Sequence, residues 1–245
     1  MKKKLSIILA VVLTATLLLP SLTFAHVGHK TIEYYYWSKK VSNWLEMEHY
    51  CGSETRGCCG GPASGVSIGR YYKTRPLEYY DNNYGDLPAP YYMYWDLYGY
   101  MNTFGCLTDF DDYGPGFVDM TEDPDNGDYD NFSYVNDYVV TDADYNNIVN
   151  AIDNGWPVAL MGNFASVHEI SGDPPGGNDW PPLFTHYIAI KGYSYWQALW
   201  PLGQPPTDRR IRCTDNWCKA DNLWLSWDEV IDEGAYLKII IIKDS

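Results

Sequence analysis

The chain has 245 residues, of which 46% are hydrophobic and 20% charged, and its formal net charge is −15. These proportions are ordinary for a folded protein and exclude a wholly disordered chain. The acidic balance argues against nucleic acid as a partner, because binding phosphates requires clustered Lys and Arg. Aromatic residues form 16% of the chain, with 23 Tyr and 10 Trp, which suits either a sugar- or peptide-binding surface or a protein with no aromatic ligand.

The first 25 residues are typical of a secretory signal peptide. Lys2–Lys4 precede an apolar run from Leu5 to Leu19, and the segment ends at Ala25. Cleavage there predicts a mature chain that begins at His26 and has no membrane span, since the apolar run is shorter than the roughly 20 residues a span needs. Removing its three lysines changes the formal charge from −15 to −18. We expect a secreted or extracytoplasmic protein; an uncleaved N-terminal anchor is the alternative.

Six cysteines follow this segment: Cys51, Cys58, Cys59, Cys106, Cys213 and Cys218. An even number in an exported chain suits disulfides, and Cys213 and Cys218 are close enough in sequence to bridge a turn. The spacings do not form two Cys-x-x-Cys pairs and His is scarce, so no metal site is predicted. No cofactor is predicted either.

A helix is predicted over 62–72, since a proline suits a first helical turn. Residues 73–140 are rich in Pro, Gly, Asp, Asn and Tyr, which predicts a loop-rich acidic insert. Its centre, 123–130, faintly resembles a calcium loop, but Pro124 stands in a ligand position. A solvated acidic loop is the favoured interpretation.

A second helix follows the insert, capped by Thr141 and ended by Asn154-Gly155. Its predicted apolar face comprises Ile148, Val149, Ala151 and Ile152. About five strands are predicted, over 157–161, 186–193, 209–214, 223–227 and 236–243. Because helices come first and strands after, the pattern indicates an α+β fold with an antiparallel sheet, and we expect one domain over 26–245.

Three residues of catalytic type stand at the ends of predicted elements. Cys59 immediately precedes a helix, whose N-terminal N–H groups and dipole favour a thiolate. His186 opens a strand and supplies a base for the thiol. Asp215 ends the next strand and supplies a carboxylate to orient the imidazole. Taken singly, Cys59 is better explained by a disulfide, His186 by a half-buried strand position and Asp215 by a turn cap. The catalytic hypothesis therefore depends on their joint order.

Four segments resemble the bacteriocin-processing cysteine peptidases of the papain-like superfamily, in particular stand-alone secreted relatives of them. They are Cys59-Gly-Gly-Pro-Ala-Ser-Gly-Val-Ser-Ile-Gly-Arg-Tyr-Tyr72, Asn154-Gly-Trp-Pro-Val158, His186-Tyr-Ile-Ala-Ile-Lys-Gly-Tyr193 and Asp215-Asn-Trp217. The resemblance implies a papain-like fold, with a central helix packed on the sheet.

The same resemblance implies roles for individual residues. Cys59 corresponds to the nucleophile, His186 to the base and Asp215 to the orienting residue, with Asn216 as an alternative third member. The family carries a Gln before the Cys as second oxyanion donor. Here no Gln precedes Gln197, so Ser53 or Asn43 is expected to substitute.

The function expected is a secreted cysteine peptidase that hydrolyses peptide bonds in a peptide or protein substrate. One alternative is an inactive papain-like binding module that keeps the cleft without the chemistry. The other is a Tyr/Trp-rich protein that binds cell wall or carbohydrate through an aromatic surface.

Overall fold

The fold is taken from a computed structural model of the chain. The structure describes residues 25–31, 60–74, 84–104, 107–138, 140–164, 167, 186–198, 207–214 and 223–245. Within these ranges the chain forms an α+β fold with an antiparallel sheet, as the order of the predicted elements indicates.

Strands β1 to β7 span Ala25–Thr31, Phe132–Asp137, Val158–Asn163, His186–Ala198, Thr207–Thr214, Leu223–Ser226 and Ala235–Asp244. Six of them lie in the order β2-β7-β3-β4-β5-β6, and every pairing is antiparallel. The long strand β4 pairs with β3 through its first half and with β1 through its second half. The sequence predicted about five strands; β1 and β2 are additional.

The middle of the sheet is apolar on both faces. Val158–Met161 on β3 and Ile239–Ile242 on β7 are all buried. Because successive side chains of a strand point to opposite faces, both faces of these strands are covered. In the sequence each of these two segments is an unbroken apolar run, which is the signal for a strand buried on both faces.

The described residues contain five α-helices, α1 to α5, over Gly60–Thr74, Pro90–Tyr100, Phe110–Glu122, Asp144–Asp153 and Trp227–Glu233. A short 3-10 helix spans Pro124–Asn126. None of these helices combines the length and apolar character that crossing a membrane requires. The predicted helices over 62–72 and 141–155 correspond to α1 and α4. The cap predicted at Thr141 was wrong: Ala143 stands at the N-cap of α4, and Thr141 donates to the Asp144 carboxylate.

Helix α1 packs on α2 through glycines spaced four residues apart. A side-chain carbon on Gly65 would lie 2.8 Å from Leu97 Cδ1, and one on Gly69 would meet the thioether of Met93. Residues four apart share one face of a helix, so this face of α1 is nearly flat. The larger side chains of α2 therefore reach the backbone of α1.

The prediction of a loop-rich insert over 73–140 was wrong for the residues described there. This region contains α2, α3, the 3-10 helix and β2. Helix α3 even contains Pro115 between two glycines. Its buried face includes Phe110, Phe117 and Met120, and the packing of these side chains outweighs the low helix propensity of Pro and Gly.

The loop predicted at 123–130 is also partly ordered. Asp123 caps the 3-10 helix by accepting a hydrogen bond from Asp125 N at 2.8 Å, and it accepts another from the Tyr100 hydroxyl. The amide of Asn126 donates to Met120 O at 3.1 Å. The side chain of Asp123 is therefore used within the fold, and it joins α2 to the end of α3.

Candidate active site

The imidazole of His186 packs directly on the first residue of α1. A side-chain carbon on Gly60 would lie 2.7 Å from His186 Nδ1 and 3.0 Å from Tyr187 N. Only a residue without a Cβ allows this approach. His186 opens β4 and is 3% exposed. The geometry therefore brings a buried imidazole to the N-terminus of a 15-residue helix, where backbone N–H groups lack intrahelical partners.

The second residue of α1 is packed by a threonine. A side-chain carbon on Gly61 would overlap the Thr108 side chain, and Thr108 Oγ1 is 2.8 Å from Thr103 Oγ1. Glycines at a helix start leave room beside the backbone, because neither carries a Cβ. In the structure that room is taken by His186 and Thr108, so the glycines serve the close packing of the helix start.

A directed chain of hydrogen bonds crosses from α3 to α1. Ser64 Oγ donates to Gly61 O at 2.8 Å and lies 2.8 Å from the Tyr113 hydroxyl. A hydroxyl has one proton, and a carbonyl can only accept. Since Ser64 donates to Gly61, Tyr113 must donate to Ser64. Burial raises the pKa of the Tyr113 hydroxyl well above its usual range, despite the opposing hydrogen bond with Ser64, so the donor keeps its proton.

Tyr187, the residue after the histidine, joins this chain. Its ring stacks on that of Tyr113, with centroids 5.0 Å apart and planes 15° from parallel. Its hydroxyl donates to Thr108 O at 3.2 Å. The contacts thus form a closed circuit, which runs from Gly61 through Ser64, Tyr113 and Tyr187 to Thr108 and back to Gly61.

Carboxylates at the start of α3 lie close enough to influence this circuit. Asp109 caps α3 by accepting from Asp111 N at 3.2 Å, and acidic residues suit a helix N-terminus. Burial is the main cause that raises the pKa of the Tyr187 hydroxyl, and the negative charges on Asp109, Asp111 and Asp112 add to it. Tyr187 therefore acts as a neutral donor.

Several predicted site residues fall outside the described residues: Cys59, Asp215, Ser53, Asn43, Asn216 and Cys218. His186 is described and meets the helix that follows Cys59. Thr214, the residue before Asp215, lies opposite Ala189 on β4. Of the predicted disulfide, the described partner is Cys213, which is buried in β5 opposite Ile190.

No group of three or more His, Cys, Asp or Glu side chains suited to a metal ion occurs in the ranges that the structure describes. The aromatic residues found there are largely internal. Tyr72, Tyr84, Tyr94, Tyr113 and Tyr145 are among the largest fully buried side chains. Much of the tyrosine content therefore belongs to the core, and the part so placed is not available to an aromatic binding surface.

Sequence reasoning missed Ser64, Thr108 and Tyr113. Tyr113 is 49 residues from Ser64, and Thr108 is 79 residues from Tyr187. No local pattern predicts such pairs. The one available signal was the Tyr that directly follows His186, since a residue bonded to His186 shares its place at the end of the strand.

No family model matches this chain, and no curated protein matches it.

Proposed function

We propose that this chain is a secreted cysteine peptidase of papain-like fold, in which Cys59 attacks the peptide carbonyl and His186 serves as the base. The observation that carries the proposal is the contact between the His186 imidazole and Gly60 at the start of α1. Cys59 is bonded to Gly60, and consecutive Cα atoms across a trans peptide bond lie about 3.8 Å apart. The buried imidazole thus contacts Gly60, and the residue directly before Gly60 is a cysteine.

The chemistry follows from these groups. His186 takes the thiol proton of Cys59, and the thiolate forms a bond to the carbonyl carbon of the substrate. The C–N bond then breaks, and the imidazolium returns its proton to the leaving amine. A water molecule, deprotonated by His186, hydrolyses the thioester and releases a carboxylate and the thiol. Free N–H groups at the start of α1 suit the oxyanion that develops.

The direction of β5 supports Asp215 as the orienting residue. In the antiparallel pair, β5 ends at Thr214 opposite Ala189, three residues from His186, and runs toward the end of β4 at which His186 lies. Asp215 is bonded to Thr214. A carboxylate beside the imidazole would fix its orientation and stabilise the imidazolium.

Paired substitutions test these roles, once a screen of casein and peptide libraries has found a substrate. We expect Cys59→Ala and His186→Ala to abolish turnover, since a triad loses orders of magnitude without either group. Asp215→Ala should lower turnover strongly, whereas the neighbouring control Asn216→Ala should lower it much less. Unchanged cleavage by Cys59→Ala would exclude the thiol mechanism, and a larger loss with Asn216→Ala would exchange the two roles.

A folded protein that cleaves nothing, with a Cys59 no more reactive than its other cysteines, would instead favour the inactive binding module. Thermal unfolding of each variant is the control for folding.

A further inference from the structure

Tyr113 and Ser64 have no part in the proposed chemistry, yet both are fully buried beside it. A buried polar group costs free energy unless it is hydrogen-bonded, so each hydroxyl here needs a partner. Ser64 meets that need with Gly61 O at 2.8 Å and Tyr113 meets it with Ser64 at 2.8 Å. Apolar residues of similar shape would fill the same space without any such need.

The direction of the bonds gives this pair a specific effect. The chain runs from the Tyr113 hydroxyl through Ser64 to the carbonyl of Gly61, and successive hydrogen bonds of one direction strengthen each other. Its last acceptor belongs to the residue after Gly60, on which the imidazole of His186 packs. The pair therefore fixes the first turn of α1 at the point where the helix meets the base.

The other end of the chain reaches the base strand. The ring of Tyr113 stacks on Tyr187, and Tyr187 is bonded to His186. Tyr113 thus contacts the two elements that adjoin the proposed catalytic pair: α1 through its hydroxyl and β4 through its ring. No other described hydrogen bond between side chains links α3 to the first turn of α1.

We propose that Tyr113 and Ser64 are positioning residues, which hold the first turn of α1 and the His186 imidazole in the alignment that activates Cys59. This inference rests on the proposed function. A shift of about an ångström between reacting groups is enough to reduce a rate severely. Removing the Tyr113 hydroxyl should therefore slow the reaction of Cys59 while the tertiary fold remains.

The test measures the alkylation rate of Cys59 by iodoacetamide over a range of pH, with peptide mapping, in the folded full chain. We expect Tyr113→Phe to lower the rate near neutral pH by about three- to tenfold, which corresponds to the free energy of one hydrogen bond. The matched control is Tyr72→Phe. Tyr72 is also fully buried and donates one hydrogen bond, to Ile242 O at 2.8 Å, but it lies near the far end of α1.

A second pair of variants distinguishes an effect on the reaction of Cys59 from an effect on folding. Ser64→Ala should lower the alkylation rate, whereas Ser67→Ala, which removes a buried hydroxyl that donates to Ala63 O at 3.2 Å, should not. The double variant Ser64→Ala with Tyr113→Phe should react about as slowly as the slower single variant, because both remove the same chain. If Tyr113 and Ser64 have a merely structural role, all four single variants would be less stable. The alkylation rate of the folded protein would then be unchanged.

The outcomes separate this inference from the function on which it rests. Rapid alkylation of Cys59 in the unaltered protein with an unchanged rate in Tyr113→Phe would overturn the positioning role alone. Additive effects of Ser64→Ala and Tyr113→Phe would overturn it as well. Slow alkylation of Cys59 in the unaltered protein would overturn both the proposed function and the positioning role.

Discussion

Gly60 and His186 are in direct contact, although 125 positions separate them in the sequence. A side-chain carbon on Gly60 would lie 2.7 Å from the imidazole Nδ1, closer than carbon and nitrogen atoms pack without a bond. The absence of a Cβ is thus what lets the imidazole reach the helix that follows Cys59.

The first prediction concerns Gly60→Ala. The added methyl group would push the imidazole away from α1, because the nearby Tyr187 N at 3.0 Å is backbone and cannot yield easily. We expect alkylation of Cys59 to slow by about tenfold to a hundredfold.

The control is Gly99→Ala, made separately in the otherwise unaltered protein. A side-chain carbon there would have nothing within 4 Å, and Ala exceeds Gly in helix propensity. The free energy of unfolding should rise by about 0.5–1 kcal/mol, with unchanged alkylation of Cys59. Equal alkylation rates for the two variants would contradict the importance of the Gly60 contact.

The second prediction contrasts two glycines at helix crossings. A side-chain carbon on Gly116 would lie 2.6 Å from Tyr100 O and 2.7 Å from Met101 N, both of them backbone. One on Gly69 would meet only the flexible side chain of Met93. Gly116→Ala should therefore lower the free energy of unfolding by about 1–3 kcal/mol, and Gly69→Ala should lower it less. Denaturant unfolding of both variants measures the difference, and the reverse order would count against the packing of α3 on α2.

The third prediction concerns pH and Asp144, at the start of α4. Burial tends to raise the pKa of its carboxyl, but hydrogen bonds outweigh burial and lower it. Thr141 donates from its N at 2.6 Å and its Oγ1 at 2.8 Å, and Asn147 donates at 2.7 Å. A pKa lower in the folded than in the unfolded chain adds stability above the unfolded value and loses it as the pH falls through the folded value.

Asp144→Ala should therefore lower the free energy of unfolding by about 1–2 kcal/mol near pH 7, and the difference should shrink below about pH 4. The matched control is Asp232→Ala, which removes an exposed carboxylate on α5. Unfolding curves at several pH values provide the measurement. A difference that stays constant down to pH 2 would show that the hydrogen bonds do not depend on the charge of Asp144.

The elements that the sequence predicted well are those with an apolar run or a clear end signal. The Ile239–Ile242 run predicts a buried strand without help from distant residues. Asn154-Gly155 ends α4 as expected, since Gly155 has a φ of +75°, which favours glycine. Such signals are local, so the residues concerned suffice to interpret them.

The missed helices α3 and α5 differ in the local signal that they carry. Helix α3 contains Pro115 and is stable because its apolar face is buried. Helix α5 had a usable signal, because Ser226 caps it by accepting from Glu229 N at 3.4 Å, and Ser-x-x-Glu is a capping-box pattern. The prediction of a strand over 223–227 did not use this pattern.

The candidate site divides in the same way. Cys59, His186 and Asp215 are chemical types at element ends, so the sequence alone could nominate them. Ser64 and Tyr113, the residues proposed to position them, are of types that are common in any core. Only the fold shows that they meet.

The pairing of Cys59 with His186 is the central claim, and the alkylation rate of Cys59 tests it most directly. Brief labelling with iodoacetamide near neutral pH, followed by peptide mapping, compares Cys59 with the other five cysteines in the unaltered protein and in His186→Ala. We predict that Cys59 reacts fastest and that His186→Ala slows it by about tenfold or more. Uniformly slow labelling, a Cys59 held in a disulfide, or a rate that His186→Ala leaves unchanged would contradict the account.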